Sequence, residues 1–249
     1  AVDDEYRFGD TVTYVVSIVN TGTAAFNNLT ITDDLGAYTA SGVTRTPLTY
    51  VEDSLAYYAN GVLQTGATAV AGPSLVISGI NVPAGGNAVV IYNARVNEFA
   101  PLASGSTIVN EATISGAGLT TPITVSDTIT IANAAQLSIT KGLTPETVAE
   151  NGQLTYTFTI QNTGNTPADA TDNVTVTDLF NPILENITVA LNGAVLTEGP
   201  EYIYDETTGL FQTVASVITV PAATYTQDPV TGQWNIVPGV TVLTVTGTV

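Results

Sequence analysis

Apolar and polar residues alternate along a stretch near the start of the chain. The apolar side of this alternation consists of Val12, Tyr14, Val16 and Ile18. A period of two residues predicts a β-strand with one face on a core. The triplet Asn20-Thr21-Gly22 ends the pattern, as is typical of a turn. A second strand is predicted from Leu29 to Thr32, and Asp33-Asp34 closes it.

The same pattern returns in the second half of the chain. Its apolar side there consists of Leu154, Tyr156, Phe158 and Ile160, and Asn162-Thr163-Gly164 ends it. Tyr156 follows Tyr14 by 142 residues, and Gly164 follows Gly22 by the same number. Val174 to Asp178 repeats Leu29 to Asp33 at a slightly larger offset. The sequence therefore predicts two copies of one module.

Turn signals divide each copy into further short strands. The pairs Asn60-Gly61 and Asn192-Gly193 predict tight β-hairpins. Long strands are predicted from Ala88 to Val96 and from Val240 to Val249. Short strands at regular spacing, without any helical period, predict an all-β fold made of two tandem β-sandwiches.

The two copies differ at their ends, and this difference predicts the domain organisation. The first copy continues through two more strands, Thr107 to Ser115 and Pro122 to Ile131, whereas the second stops at Val249. The second copy has an opening strand, Leu137 to Lys141, that the first lacks. We therefore predict a sandwich over residues 1–133 without its opening strand, and one over 134–249 without its closing strands.

Composition narrows the range of functions. The chain has 22 acidic and 4 basic residues and a net charge of −18, so we expect it to repel nucleic acid and anionic membranes. It contains no Cys, Met or His. These absences exclude disulfides, thiolate metal sites and His- or Cys-based catalysis. No apolar run is long enough to span a bilayer. We expect an extracellular, cell-surface protein that is not an enzyme.

The repeated motif resembles a known family. Gly9, Tyr14, Asn20-Thr21-Gly22 and Asp33 in the first copy, and Tyr156, Asn162-Thr163-Gly164 and Asp178 in the second, are similar to the immunoglobulin-like surface repeat catalogued as domain of unknown function 11. Lys141 and Asn110 match further positions of that repeat, whereas Asn151 replaces the glycine found at Gly9. The resemblance implies tandem immunoglobulin-like domains on a bacterial or archaeal cell surface, in stalks, adhesins or wall-associated arrays.

Two kinds of ligand site are candidates. Asp33, Asp34 and Asp178 could supply oxygen ligands to Ca²⁺, although acidic residues in turns more commonly cap backbone groups. No other cofactor is expected. A glycan could stack on aromatic side chains, although aromatic residues in strands are more commonly part of the core. The aromatic candidates are Tyr57, Tyr58, Tyr202, Tyr204, Tyr225 and Trp234.

The single lysine is a candidate cross-linking residue. Lys141 shares a strand face with Leu137 and Ile139, so it points inward or lies at the rim of the sandwich. Burial favours the neutral, nucleophilic amine. Surface pilins with similar sandwiches join such a lysine to an asparagine through an isopeptide bond, and Asn110 lies on the inward face of its strand. The alternative is a lysine whose amine extends to solvent.

The missing strands predict how the protein functions. A sandwich that lacks strands exposes unpaired backbone, which favours strand addition from another chain. The predicted assembly edge is the last strand, through Val240, Val242, Leu243, Val245 and Val249. Head-to-tail contacts that do not close give filaments. We expect a structural fibre or surface-layer subunit that polymerises by donor-strand complementation. The alternatives are a two-repeat segment of a stalk or adhesin, and a carbohydrate-binding module.

Overall fold

A computed structural model describes all residues, Ala1–Val249, and divides the chain into two compact units. The first unit comprises Ala1–Ala132 and Thr226–Asn235, and the second comprises Asn133–Tyr225 and Ile236–Val249. The sequence analysis places residues 226–235 in the second domain, but they group with the first unit instead. Contacts between distant segments decide this grouping, and local sequence patterns do not record such contacts.

The first repeat is built from thirteen strands. They are β1 (Glu5–Tyr6), β2 (Thr11–Val19), β3 (Phe26–Asp33), β4 (Tyr38–Ala40), β5 (Val43–Arg45), β6 (Leu48–Tyr50), β7 (Ala56–Ala59), β8 (Val62–Gln64), β9 (Thr68–Val70), β10 (Leu75–Val82), β11 (Asn87–Val96), β12 (Thr107–Ser115) and β13 (Ile123–Ile131). Asn60 and Gly61 join β7 to β8 with positive φ angles of 49° and 78°. The Asn-Gly hairpin predicted there is therefore confirmed.

Two sheets form the first sandwich. One has the order β1-β13-β12-β3-β10-β9, and the other has the order β2-β11-β7-β8 with β6 also paired to β11. The inward residues of β2 and β11, such as Val12, Tyr14 and Tyr92, are buried against Leu29 and Ile31 of β3 in one core cluster. Strand β2 lies at the end of its sheet, so one of its two edges faces no strand.

The second repeat is built from ten strands and one short 3₁₀ turn, Ala170–Asp172. The strands are β14 (Leu137–Thr144), β15 (Gln153–Asn162), β16 (Thr177–Leu179), β17 (Glu185–Leu191), β18 (Ala194–Val195), β19 (Tyr202–Asp205), β20 (Leu210–Thr213), β21 (Thr224–Gln227), β22 (Trp234–Val237) and β23 (Gly239–Thr248). Asn192 and Gly193 join β17 to β18, with φ angles of 50° and 84°. That 3₁₀ turn is the sole helical element, so no helix of the structure could cross a membrane.

The second sandwich repeats the plan of the first, with fewer strands. One sheet has the order β14-β15-β23-β17-β18, and a smaller one has the order β16-β20-β19. Strands β2 and β15 occupy equivalent positions in the two repeats. Strand β2 pairs with the long strand β11, and β15 pairs with the long strand β23. The predicted fold class, two tandem immunoglobulin-like β-sandwiches, is confirmed. Strand β3 has β12 on its second edge, whereas its counterpart β16 has no strand there.

The predicted assembly edge is wrong. Strand β23 carries Val240, Val242, Leu243 and Val245, and it lies inside its sheet, paired with β15 on one side and β17 on the other. Its backbone groups are therefore already used. Val249 follows the strand, and its backbone exchanges hydrogen bonds with Asn151 and Gly152. The open edges lie on other strands.

Candidate functional site

The free edge of β2 borders a cavity in the first unit. Val2 donates a backbone hydrogen bond to Thr13 of β2 (2.9 Å). Backbone groups alternate between the two edges of an antiparallel strand, so those of Val15 and Ser17 also face this free edge. The cavity beside it has a volume of about 460 Å³ and lies between β2 and the β12–β13 pair. This edge could therefore accept another strand.

The wall of this cavity contains a buried polar group. The Asp33 carboxylate is fully buried, and it accepts hydrogen bonds from the Tyr92 hydroxyl, Asn110 Nδ2 (2.9 Å) and the Leu35 backbone N–H (2.8 Å). Burial raises the pKa of Asp33, and these hydrogen bonds oppose part of that rise. Asn110 Oδ1 and the Tyr14 hydroxyl are also buried, and neither has a hydrogen-bond partner. Such atoms are costly to bury alone.

In the second unit, strand β14 covers the corresponding edge. It pairs with β15 over its whole length, and Lys141 lies opposite Phe158. The Lys141 ammonium forms an ion pair with Asp178 and lies 4.4 Å from the centre of the Tyr156 ring. It also lies 5.6 Å from the centre of the Phe180 ring. The Lys141 ammonium is thus in contact with one carboxylate and two aromatic rings, while the side chain is 39% exposed to solvent.

The Asn-Thr-Gly triplet forms the first corner of each repeat, the turn that follows β2 or β15. Asn162 accepts hydrogen bonds from the backbone N–H groups of Gly164 and Gln136 (both 2.9 Å), and it donates to Thr166 O (2.8 Å). Gln136 leads directly into β14. Asn20 makes the equivalent bonds to Gly22 N (2.9 Å) and Ala24 O (2.8 Å). The triplet therefore both turns the chain and holds the segment that enters the opening strand.

A second open edge belongs to β16. An apolar cavity of about 220 Å³ lies beside it, lined by aliphatic side chains of three chain segments. Those side chains are Leu137, Ile139, Ile160, Val174 and Val176. In the first unit the matching position is filled by β12, where Ile114 pairs with Ile31 of β3. Leu137 and Ile139 stay about half exposed, at 41% and 53%.

The predicted calcium site is not assembled. Asp33 and Asp34 are consecutive strand and turn residues whose side chains serve different partners: Asp34 Oδ1 accepts hydrogen bonds from Gly36 N and Glu111 N (both 2.9 Å). Asp178 is paired with Lys141. No group of three acidic side chains with metal-ligating geometry occurs in the structure. The prediction of a common calcium site at these three residues is therefore wrong.

The aromatic candidates for glycan binding are mostly not exposed. Tyr57, Tyr202 and Tyr204 are buried, and the last two contact Phe211 or Phe180. The Tyr225 hydroxyl donates to Thr163 O (2.8 Å), and the Trp234 ring N–H donates to Phe99 O (3.2 Å). The three buried rings therefore cannot form the flat, accessible platform that stacking on a sugar requires.

The cross-link between Lys141 and an asparagine stays a prediction. The second copy has no equivalent of Asn110, so we expect the partner of Lys141 to come from a neighbouring molecule. Attack of the amine on the amide carbon releases ammonia, which lowers the mass by about 17 Da per bond. Mass spectrometry of peptides from assembled material measures this loss. An unmodified Lys141 in those peptides would contradict the prediction.

Sequence reasoning missed the two unpartnered atoms beside Asp33. The inward face of β2 indicates that Tyr14 is buried, but no local signal shows that its hydroxyl finds no acceptor. Asn110 is identified from its strand face, whereas its hydrogen bond to Asp33 joins residues of two separate strands. Buried polar residues on predicted core faces are the one signal that points to such a site.

No protein-family model matches the chain, and no curated protein sequence matches it. Solved structures similar to this chain include BcpA*(D312A), the major pilin subunit of Bacillus cereus, at 10% identity over 92% of this chain and 60% of that one, with a TM-score of 0.39. Domains D2 and D3 of the major pilin SpaD from Corynebacterium diphtheriae match at 11% identity over 94% and 85%, with a TM-score of 0.35. The collagen-binding domain of a Staphylococcus aureus adhesin matches at 11% identity over 48% and 87%, with a TM-score of 0.31. We infer function from the geometry of this chain itself.

Proposed function

We propose that the protein is a non-enzymatic structural subunit of an extracellular fibre, pilus-like appendage or surface layer, whose copies join head to tail by strand addition. The observation that supports it is the complementary incompleteness of the two sandwiches. The first has strands β12 and β13 but no counterpart of β14, and the second has β14 but no counterpart of β12 and β13. An open edge with an apolar cavity beside it favours addition of a strand.

Burial provides the driving force for closing the second sandwich. Strand β12 delivers Ile108, Ala112 and Ile114 to the core of the first unit, and β13 delivers Ile129 and Ile131. Burying each large aliphatic side chain stabilises the folded state by roughly 1.5–3 kcal/mol, before the entropic cost of ordering the strand is subtracted. Strands of this kind from a neighbour would form a long-lived contact. Because the contact would rest on apolar burial and backbone pairing, added salt should barely weaken it.

The two units lack different strands, and this difference supports a head-to-tail contact. Each unit would accept a different element, so the contact joins unlike surfaces, and unlike contacts that do not close produce a filament. The surface repeats that the sequence resembles support a cell-surface location. The same open edges would also suit a segment of a longer stalk or adhesin, in which the next repeat of the same chain supplies the strands.

Assembly can be tested on the whole chain with a strand mimic. A synthetic peptide of Ser106–Ala132 should raise the melting temperature of the second unit and shorten fibres seen by electron microscopy, because it fills the open edge of β16. A matched peptide with Ile108→Asp and Ile114→Asp should do neither. A chain that stays monomeric at every concentration and melts identically with both peptides would overturn the proposal.

A further inference from the structure

Three exposed asparagines belong to a repeated modification motif. Asn28-Leu29-Thr30, Asn173-Val174-Thr175 and Asn186-Ile187-Thr188 each match Asn-x-Thr, the acceptor pattern for N-linked glycans. We propose that these three asparagines carry N-linked glycans in the protein at the cell surface. The inference rests on the extracellular location in the proposed function, and it adds the chemistry of the fibre's outer surface.

Two of the motifs occupy the same place in the two repeats. Asn173 follows Asn28 by 145 residues, the offset at which Val174 repeats Leu29. Asn28 lies near the start of β3, and Asn173 lies shortly before β16, the counterpart of β3. Both asparagines have a left-handed backbone, with φ angles of 55° and 53°. The motif and its backbone geometry are therefore repeated together.

The middle residue of each motif packs inward, and this packing holds the asparagine at the surface. Leu29 is buried in the first core cluster, and Val174 and Ile187 pack against the second. The three motif asparagines, in contrast, are all exposed. At Asn186 the pairing of β17 with β23 shifts register, and φ is 50°. The local backbone thus presents three amides to solvent, where a modifying enzyme can reach them.

The amide nitrogens are available for reaction. The side chains of Asn28 and Asn186 have no hydrogen-bond partner in the structure, whereas their backbone N–H groups donate to Asn81 Oδ1 (2.8 Å) and Glu206 Oε1 (3.3 Å). Asn173 Nδ2 donates to the carbonyl oxygen of the exposed Thr171 (3.0 Å). A glycosylated amide retains one N–H, so it can keep this single bond.

The modification is a glycosyl transfer to the amide nitrogen. The co-reactant is a lipid-linked sugar diphosphate, which the cell supplies together with a transferase. Asparagine Nδ2 forms a bond to the anomeric carbon of the sugar, and the bond between that carbon and the phosphate oxygen breaks. The diphosphate leaves with the electron pair, and Nδ2 loses one proton. No oxidation or reduction is involved.

Strand addition as proposed above leaves these positions accessible. In the first unit, β12 pairs with β3 as far as Thr30, which lies opposite Ser115. Asn28 lies beyond this pairing and is exposed although β12 is in place. A strand added to β16 in the same register would end opposite Thr175 and leave Asn173 in solvent. Glycans at these positions would therefore coat a fibre without blocking its contacts.

Backbone conformation alone does not explain the motifs. A positive φ favours asparagine, and six asparagines of this chain adopt one. Three of them, Asn60, Asn151 and Asn192, lie in turns and are followed by glycine. The three motif asparagines are followed by an apolar residue and a threonine. The left-handed backbone accounts for asparagine in both groups, but not for the threonine that one group shares. Because the turn asparagines are exposed as well, they are matched controls.

The test is site-resolved peptide mass spectrometry of the protein purified from the surface of its natural host cells. The three motif asparagines should carry sugar masses, whereas the same chain produced in cells without N-glycosylation enzymes should carry none. Asn60, Asn151 and Asn192 should be unmodified in both samples. In the natural host, Thr30→Val should remove the glycan from Asn28 alone. Thr30→Ser should keep it, because serine also fits the acceptor pattern.

Three results would overturn the inference. They are motif asparagines without sugar in the surface protein, equal glycan occupancy at the turn asparagines, and a glycan on Asn28 that persists in Thr30→Val. If Thr30→Val does not reach the surface, the comparison of motif and turn asparagines in the parent protein decides. The proposed function fails separately. Fibres of an unmodified protein would leave the proposed function standing, and a glycosylated protein that never assembles would leave only this inference standing.

Discussion

Replacing Tyr156 with alanine should lower the free energy of unfolding of the second unit by about 3–5 kcal/mol. The Tyr156 ring is 2% exposed and stacks on Phe180, with ring centres 4.7 Å apart. Its hydroxyl donates to Asn181 O (3.1 Å), and the Lys141 ammonium lies 4.4 Å from the centre of the Tyr156 ring. The substitution therefore removes a packed ring and leaves a cavity in the middle of the aromatic core.

Chemical denaturation followed by circular dichroism measures this loss. Tyr156→Phe is the matched control, because it keeps the ring and removes only the hydrogen bond, which contributes about 1 kcal/mol. Burial raises the pKa of Tyr156, in agreement with a ring that is enclosed by protein. A loss below about 1 kcal/mol for the alanine variant would show that this ring does not belong to the core.

Alanine substitutions at the two equivalent glycines should destabilise the protein to very different extents. Gly164→Ala should destabilise the second unit by about 3 kcal/mol, at the upper end of what overpacking costs, because the added methyl group overlaps backbone atoms of Ala134 and Gln136. Gly22→Ala should cost less, about 1 kcal/mol, since the added methyl group meets only Asn20 Oδ1, at 3.2 Å, and that side chain has to shift slightly.

Melting curves of the two variants, recorded side by side, test this contrast. The loss at Gly164 should come with faster hydrogen exchange in β14, because the displaced lead-in also loses the hydrogen bond from Gln136 N to Asn162 Oδ1. Equal destabilisation by both substitutions would mean that the corner itself requires glycine. The difference between the two units would then not reflect the presence of an opening strand.

The sequence by itself determined the long strands, two of the hairpins and the fold class. Strict alternation along Leu154 to Ile160 predicts which face is buried, and the structure buries that face. Asn60-Gly61 and Asn192-Gly193 determine two hairpins, because both residues of each pair adopt the positive φ that this turn requires. The repeat offset places β2 and β15 at equivalent positions. These features depend on near neighbours in the chain, so local chemistry is sufficient to predict them.

Only the tertiary structure decided which edges are open and which polar groups meet. The pattern of Val240 to Val249 shows a strand but not its neighbours, and pairing with both β15 and β17 placed it inside a sheet. Likewise, Tyr14, Asp33 and Asn110 come together because three strands, distant in sequence, converge on one cavity. Alternation determines the face of a strand, whereas strand order depends on the whole set of pairings that together bury the core.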